Sequence, residues 1–247
     1  MRYVYIDQTP NPGETVLVTG GDKHHITSVL RLKPGDVIGL LDGRGFEYPS
    51  EIIAISTKSV EVRVKEKNPV ATESPVDITV AQGYLKEKKM DDLVRQLTEL
   101  GIARWMPFMA ARSVPKPDQK QLAHRMKRWQ AITKEAVKQC RRGRVMAIGT
   151  PLSFEDMLNA AAGCDIKIVF WESQVSRQQT SLQAAAPDPG TRVFVIIGPE
   201  GGLTEAEVNH AKSQGFIVAG LAPRILRAET ATLPACTLVQ HLFGDMR

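Results

Sequence analysis

Short runs in which apolar and polar positions alternate fill the first quarter of the chain. Arg2–Tyr5, Thr15–Val18, Val37–Leu41, Glu51–Ile55 and Ser59–Lys65 predict strands. Turn signals stand between them at Pro34-Gly35-Asp36 and Asp42-Gly43-Arg44-Gly45. One helical stretch, about Asp22–Arg31, interrupts the series, with Ile26, Val29 and Leu30 as its core face and His25 as a packed or capping histidine. Many short strands in so small a span predict a compact barrel. Asn68–Pro75 has two prolines and no periodicity, and reads as a linker.

From Asp77 the period changes. Ile78–Gln82 predicts a strand, and Met90–Leu100 a helix with Leu93, Leu97 and Leu100 on one face. An apolar segment follows at Ala103–Met109, then a long helix over Gln119–Gln139, a short one over Phe154–Ala161 and a strand over Ile166–Phe170. Val193–Ile197 is a run of five apolar, mostly β-branched residues, which predicts a strand buried on both faces. Ile217–Ala219 is a further short apolar segment. A last helix, about Thr232–Phe243, carries Pro234 in its first turn, where a missing N–H is tolerated. Strands alternating with helices predict an α/β domain, a mostly parallel sheet with helices on both faces.

Two loops change the picture. After Val193–Ile197 comes Gly198-Pro199-Glu200-Gly201-Gly202, with almost no side-chain bulk and one carboxylate. Thr204 with Glu207 three places on has the spacing of a capping box. Strand, bare loop and helix start together place backbone N–H and C=O groups at the carboxyl edge of a sheet, where α/β proteins bind ligands. The run is neither a dinucleotide fingerprint nor a P-loop, since no Lys-Ser/Thr follows the glycines. The second loop, Leu221–Ala231, holds Arg224 and Arg227 and then Glu229-Thr230, which the preferences of helix N-termini set as a cap for the last helix.

The pair IGPEGGLT and LAPRILRAETA resembles the cofactor loops of the RsmE family, SPOUT-superfamily enzymes that methylate N3 of a uridine in small-subunit (16S) ribosomal RNA. The likeness spans nearly the whole chain. Thr98-Glu99-Leu100-Gly101, Arg112-Ser113-Val114 and Gln139-Cys140 with Arg142 match further family segments, and His25, Val29, Leu30, Arg31 and Gly35 match its PUA-like N-terminal domain. Leu97, Met146 and Ala222 depart from it; Ala222 stands where the family favours glycine, a costly exchange if that position needs positive φ. The resemblance implies a PUA-like β-barrel for RNA docking over residues 1–70 and a SPOUT methyltransferase domain with a deep trefoil knot over residues 71–247. It also implies S-adenosylmethionine as cofactor, small-subunit ribosomal RNA as partner, and a homodimer.

Cofactor binding is then expected at Phe170, Trp171, Glu172, Ile197, Gly198, Pro199, Glu200, Gly201, Gly202, Leu221, Ala222, Ile225, Leu226, Thr230 and Ala231. Arg224, Arg227 and Glu200 are the candidate catalytic residues, and Arg31, Lys89, Arg112, Arg141 and Arg142 the candidate RNA contacts. Two other readings remain beside this one: a different SPOUT activity, on ribose 2′-O or guanine N1, and a catalytically silent RNA-binding module.

Charge supports a polyanionic partner only locally. The net charge of +5 is mild, but residues 116–144 hold Lys116, Lys120, Arg125, Lys127, Arg128, Lys134, Lys138, Arg141, Arg142 and Arg144 against Asp118 and Glu135. Three well-separated cysteines fit a reducing cytoplasm and no zinc motif. No apolar run is long enough for a membrane span, no signal peptide opens the chain, and no metal constellation is expected.

Overall fold

Alternation closes the first part of the chain into a six-stranded sheet, ordered β1-β3-β4-β5-β2 with β6 beside β4. Its strands are β1 (Tyr3–Tyr5), β2 (Thr15–Thr19), β3 (Val37–Leu41), β4 (Phe46–Ile55), β5 (Ser59–Val64) and β6 (Asn68–Pro69). In β2 only Val16 and Val18 are buried, the inward half of a period-2 strand. They meet Ile38, Leu40, Tyr48, Ile52, Val60 and Val62 in one core. The computed structural model describes residues 2–86, 89–115, 117–172 and 188–246. This first unit comprises Met1–Glu73 together with Lys134–Val145, a segment that the division at residue 70 assigns to the second part.

Three expectations for this unit are corrected. The stretch from Asp22 to Arg31 is not one helix: α1 (Gly20–His24) runs into a π-turn over His25–Val29, closed by the Leu30 amide donating to the His25 carbonyl at 2.9 Å. The wider turn rotates the apolar stripe, so Ile26 is fully buried while Val29 is 59% exposed and His25 also faces solvent. Strand β4 begins five residues early, because Tyr48 and Ser50 continue its inward row across Pro49. Residues 68–75 are no slack linker: Asn68–Pro69 pairs with β4, and Glu73 binds Arg142 and the Arg144 amide.

The second unit comprises Ser74–Thr133 and Met146–Arg247. Its strands are β7 (Asp77–Gly83), β8 (Arg104–Met109), β9 (Ala147–Ile148), β10 (Leu152–Ser153), β11 (Ile166–Phe170), β12 (Arg192–Ile197) and β13 (Ile217–Ala219), all parallel, in the order β10-β8-β7-β12-β11-β13 with β9 beside β8. The helices are α2 (Lys89–Glu99), α3 (Gln119–Cys140, whose residues from Lys134 on belong to the first unit), α4 (Phe154–Ala160), α5 (Glu205–Ser213) and α6 (Ala228–Phe243). Successive residues of β12 serve opposite layers: Val193, Val195 and Ile197 pack with α2, α6 and Trp129 of α3, while Phe194 and Ile196 pack with α4 and α5. Among the described residues no helix is long and apolar enough to cross a membrane.

Helix α6 starts four residues before the expected point. Its N-cap is Arg227, so Glu229 lies in the first turn and Glu229-Thr230 does not cap it. Pro234 sits inside the helix rather than in its first turn, and costs the bond that a residue there would donate to the Thr230 carbonyl.

Candidate functional site

The parallel register brings four strand ends level. Gln82 of β7 pairs with Ile197 of β12, Ile197 with Phe170 of β11, and Phe170 with Ala219 of β13. The chain segments that leave this row, after Phe170, Ile197 and Ala219, converge on one open cleft of about 790 Å³, a volume that includes the solvent at its mouth. Fourteen of the fifteen expected cofactor residues line it, from Phe170 through Ala231, and Gly201 and Leu226 face the same space. The exception is Thr230, whose place in the first turn of α6 leaves it exposed outside the lining. Arg224 and Ala228 complete the wall.

The glycines of the first loop are required by packing. A Cβ on Gly201 would lie 2.9 Å from Arg112 Cβ. At Gly202, with φ +69°, it would overlap the Glu172 carboxylate. Thr204 and Glu207 form the expected capping box, and Glu207 Oε1 also accepts from the Ala111 amide at 2.8 Å. Arg112 donates to the Gly201 carbonyl at 3.1 Å, so the Arg-Ser-Val stretch braces the glycine loop from outside. Ala222 adopts no positive φ, and its methyl group carries no backbone penalty.

A buried polar bridge, with no signal in the sequence beyond a polar residue ending an apolar strand, joins the two loops from below. Gln82 is fully buried. Its Nε2 donates to the carbonyls of Gly83 and Gly198, both at 3.2 Å, and its Oε1 accepts from Thr232 at 2.6 Å. One amide thereby ties the glycine loop to α6, the helix that the second loop enters.

Glu200 is anchored on the cleft wall. Its Oε1 accepts from the Lys86 amide at 3.0 Å and from Lys89 at 3.3 Å, and Lys89 also reaches Glu229 at 3.2 Å. Burial raises the Glu200 pKa, but the Lys86 amide, its own amide and the Lys89 ammonium outweigh that and hold it below the ordinary glutamate value. The Lys89 ammonium, expected at RNA, is instead engaged by two carboxylates.

Arg142, also expected at RNA, is only 4% exposed and paired with Glu73 at 2.8 Å, which removes it from any phosphate's reach. Arg31 and Arg141 are exposed, each with a left-handed backbone. Several cations of the basic run are matched by carboxylates or hydroxyls from other elements: Arg125 by Tyr84, Arg128 by Asp91, Lys134 by Asp7, and Lys138 by Asp22. Lys116 lies outside the described residues. Arg224 and Arg227 are exposed, Arg224 in the cleft wall and Arg227 at the N-cap of α6.

A parallel sheet whose carboxyl edge carries two low-bulk loops meeting in one cleft, in a chain that also holds a small PUA-like β-domain, is the architecture of the SPOUT, or α/β-knot, RNA methyltransferases. Two family models agree: an RNA methyltransferase domain over residues 72–240 and an RNA methyltransferase PUA domain over residues 18–65. The ribosomal RNA small subunit methyltransferase E of Bacillus subtilis is 35% identical over 98% of this chain and 96% of that relative. That of Synechocystis is 30% identical over 92% and 73%. The crystal structure of the Neisseria gonorrhoeae methyltransferase E bound to S-adenosyl methionine superposes with a TM-score of 0.88 over the whole of both chains, at 27% identity. The chain belongs to the ribosomal RNA small subunit methyltransferase E (RsmE) family.

Proposed function

We propose that the protein transfers a methyl group from S-adenosylmethionine to N3 of a uridine in small-subunit ribosomal RNA, in the cytoplasm and as a homodimer. The observation that carries this is the convergence of the two loops on a cleft whose walls are largely backbone, glycine and apolar side chain. Such walls suit a nucleoside held by main-chain hydrogen bonds; a Cβ at Gly202 would collide with Glu172 in the wall, and one at Gly201 with the Arg112 brace behind it. The bound donor supplies a sulfonium methyl that is already electrophilic, so positioning can provide most of the acceleration.

The residues then divide the remaining work. Leu221, Ile225 and Leu226 offer apolar contact to the adenine, and Glu172 an acceptor beside Gly202. Methyl transfer to N3 would break the donor's S–CH3 bond, leaving S-adenosylhomocysteine, and the N3 proton would pass to water at the open mouth of the cleft. The exposed guanidinium of Arg224, with Arg227 three residues on, stands where it can balance the charge on the uracil oxygens or hold a flanking phosphate. Glu200 serves as a strut for the segment at Lys86 rather than as the proton acceptor, since both its bonds and its lowered pKa favour a fixed carboxylate. The barrel is assigned to RNA docking. Ile225, 82% exposed beside the cleft, is an apolar group that a second copy of the chain can cover.

Titration calorimetry with S-adenosylmethionine tests the donor site, nucleoside mass spectrometry of ribosomal RNA from a strain lacking the gene tests the product, and sedimentation tests the dimer. N3-methyluridine persisting in that strain would refute the assignment.

Two further results are expected at this site. Gln82→Leu keeps the shape but strands the Gly198 carbonyl, at about 1–3 kcal/mol, and unties the loop from Thr232, whose hydroxyl keeps only the Ala228 carbonyl as acceptor. Calorimetry should show donor affinity falling roughly tenfold or more, whereas unchanged affinity would show that the bridge does not set the loop. For Glu200 the sign follows from its lowered pKa: its contribution is complete above the unfolded value and is lost as pH falls through the folded one. Donor binding should therefore be flat from about pH 8 to about pH 5 and weaken only below the ordinary glutamate value of 4.5. A binding midpoint near neutrality would contradict the strut role.

A further inference from the structure

Within the first unit two arginine-bearing loops are held against each other. Arg44, between Gly43 and Gly45, faces Arg144 across an isolated antiparallel bridge. The bridge is fixed by the Gly45 amide donating to the Gly143 carbonyl at 2.8 Å and by the Val70 amide donating to the Gly45 carbonyl at 2.9 Å. A Cβ on Gly143 would lie 2.7 Å from Val70 Cβ, so the approach needs glycine there. Directly opposed residues in such a bridge project their side chains on one face, about 4.5–5.5 Å apart at Cβ, and like charges so placed repel. Arg141 adds a third cation to the same loop, exposed, stacked 5.7 Å from the Tyr3 ring, and held at φ +61° where glycine is the usual residue.

The neighbouring carboxylates are committed elsewhere. Asp42 accepts from the Arg44 and Phe46 amides and from Tyr48; Glu73 from Arg142 and the Arg144 amide; Asp7 from Lys134; Glu47 from Tyr3. The Arg44 guanidinium donates to the Thr9 hydroxyl at 3.0 Å, and its charge, after the Lys134 bond to that carboxylate, helps lower the Asp7 pKa without an ion-pair contact. Among the described residues none of the three guanidinium groups has a carboxylate partner. The fold thus presents three exposed arginines within one pair of loops, two directly opposed across the bridge and one on a left-handed backbone.

We propose that Arg44, Arg141 and Arg144 form a clamp for adjacent phosphates of the RNA strand, an inference that rests on the assignment of RNA as substrate. Guanidinium groups bind phosphate oxygens in bidentate fashion, and the repulsion stored in the free protein is relieved when the anion arrives.

The test is fluorescence anisotropy of a small-subunit ribosomal RNA fragment with the full-length protein across a salt series. The double variant R44A/R144A should bind roughly a hundredfold more weakly at about 0.1 M salt. The slope of log affinity against log salt should flatten by about 1.5 to 2, the release expected for two phosphates. Its melting temperature should not fall, because a like-charge contact has been removed. R141G should likewise weaken RNA binding while melting at or above the wild-type temperature. S-adenosylmethionine affinity should be unchanged in both, which separates failure of the clamp from failure of the donor site. An unchanged salt slope overturns the clamp even if uridine methylation proceeds normally, and so does affinity lost only together with melting temperature. Inorganic phosphate binding at millimolar concentration that is lost in R44A/R144A, while that variant keeps wild-type RNA affinity, would mark the loop pair as a site for the free ion and would overturn the proposal too.

Discussion

Glu73→Ala is expected to destabilise the first unit by about 3–5 kcal/mol, the usual cost of removing one partner of a buried ion pair. Arg142 is 4% exposed and donates to one oxygen of the Glu73 carboxylate at 2.8 Å, while the other oxygen accepts from the Arg144 amide at 3.0 Å. Alanine at 73 therefore removes the carboxylate that faces a buried guanidinium and frees the backbone that carries Arg144. Far-UV circular dichroism should show a melting transition lowered by about 10 °C or more for a unit of this size. Glu73→Leu combined with Arg142→Met should recover most of the loss, since an apolar pair needs no mutual charge. Donor binding at temperatures below that transition should persist, because every residue lining the cleft belongs to the second unit. A shift worth less than about 1 kcal/mol would mean that water reaches the pair after all.

That ion pair also shows where sequence reading stops. Residues 68–75 carry two prolines and no period, and nothing local distinguishes Glu73 from a solvated linker acid. Its role exists only because the chain returns 69 residues later with Arg142. The basic run between 116 and 144 is legible only in part for the same reason. Counting sign along a helix cannot see Asp7, Asp22 and Asp91 arriving from elsewhere to neutralise Lys134, Lys138 and Arg128. Strands, by contrast, write their environment into their own period. The alternation in Thr15–Thr19 gives one buried face, and the unbroken apolar run of Val193–Ile197 gives two. The π-turn at His25–Val29 defeats the same logic because one extra residue per turn displaces every later side chain.

The cleft was legible because its design is a deficit of side chains, and a deficit is visible in one dimension. Gly198, Gly201 and Gly202 mark a wall made of backbone. What holds that wall was not legible: Gln82 is one polar residue at a strand end, and Lys89 looks like any surface lysine until Glu200 and Glu229 meet it.

Gly201→Val should abolish donor binding while leaving the protein folded. The ideal Cβ at this position already lies 2.9 Å from Arg112 Cβ and 3.2 Å from the Arg112 carbonyl, and valine adds two methyl groups beyond it. Arg112 cannot simply swing away, since its guanidinium is bonded to the Gly201 carbonyl and the neighbouring Ala111 amide to Glu207. The strain, about 1–3 kcal/mol for overpacking, falls on the loop, which must move into the cleft or release its brace. Either movement displaces the Gly198–Gly202 backbone whose groups face the ligand, and a displacement of about 1 Å suffices to lose near a hundredfold. Calorimetry should detect no heat of S-adenosylmethionine binding at concentrations that saturate the wild type, while circular dichroism stays native. Gly201→Ala, with one methyl group and the same contact, should give an intermediate affinity. Wild-type affinity in the valine variant would remove this loop from the donor site and with it the physical basis for assigning methyl transfer to the cleft.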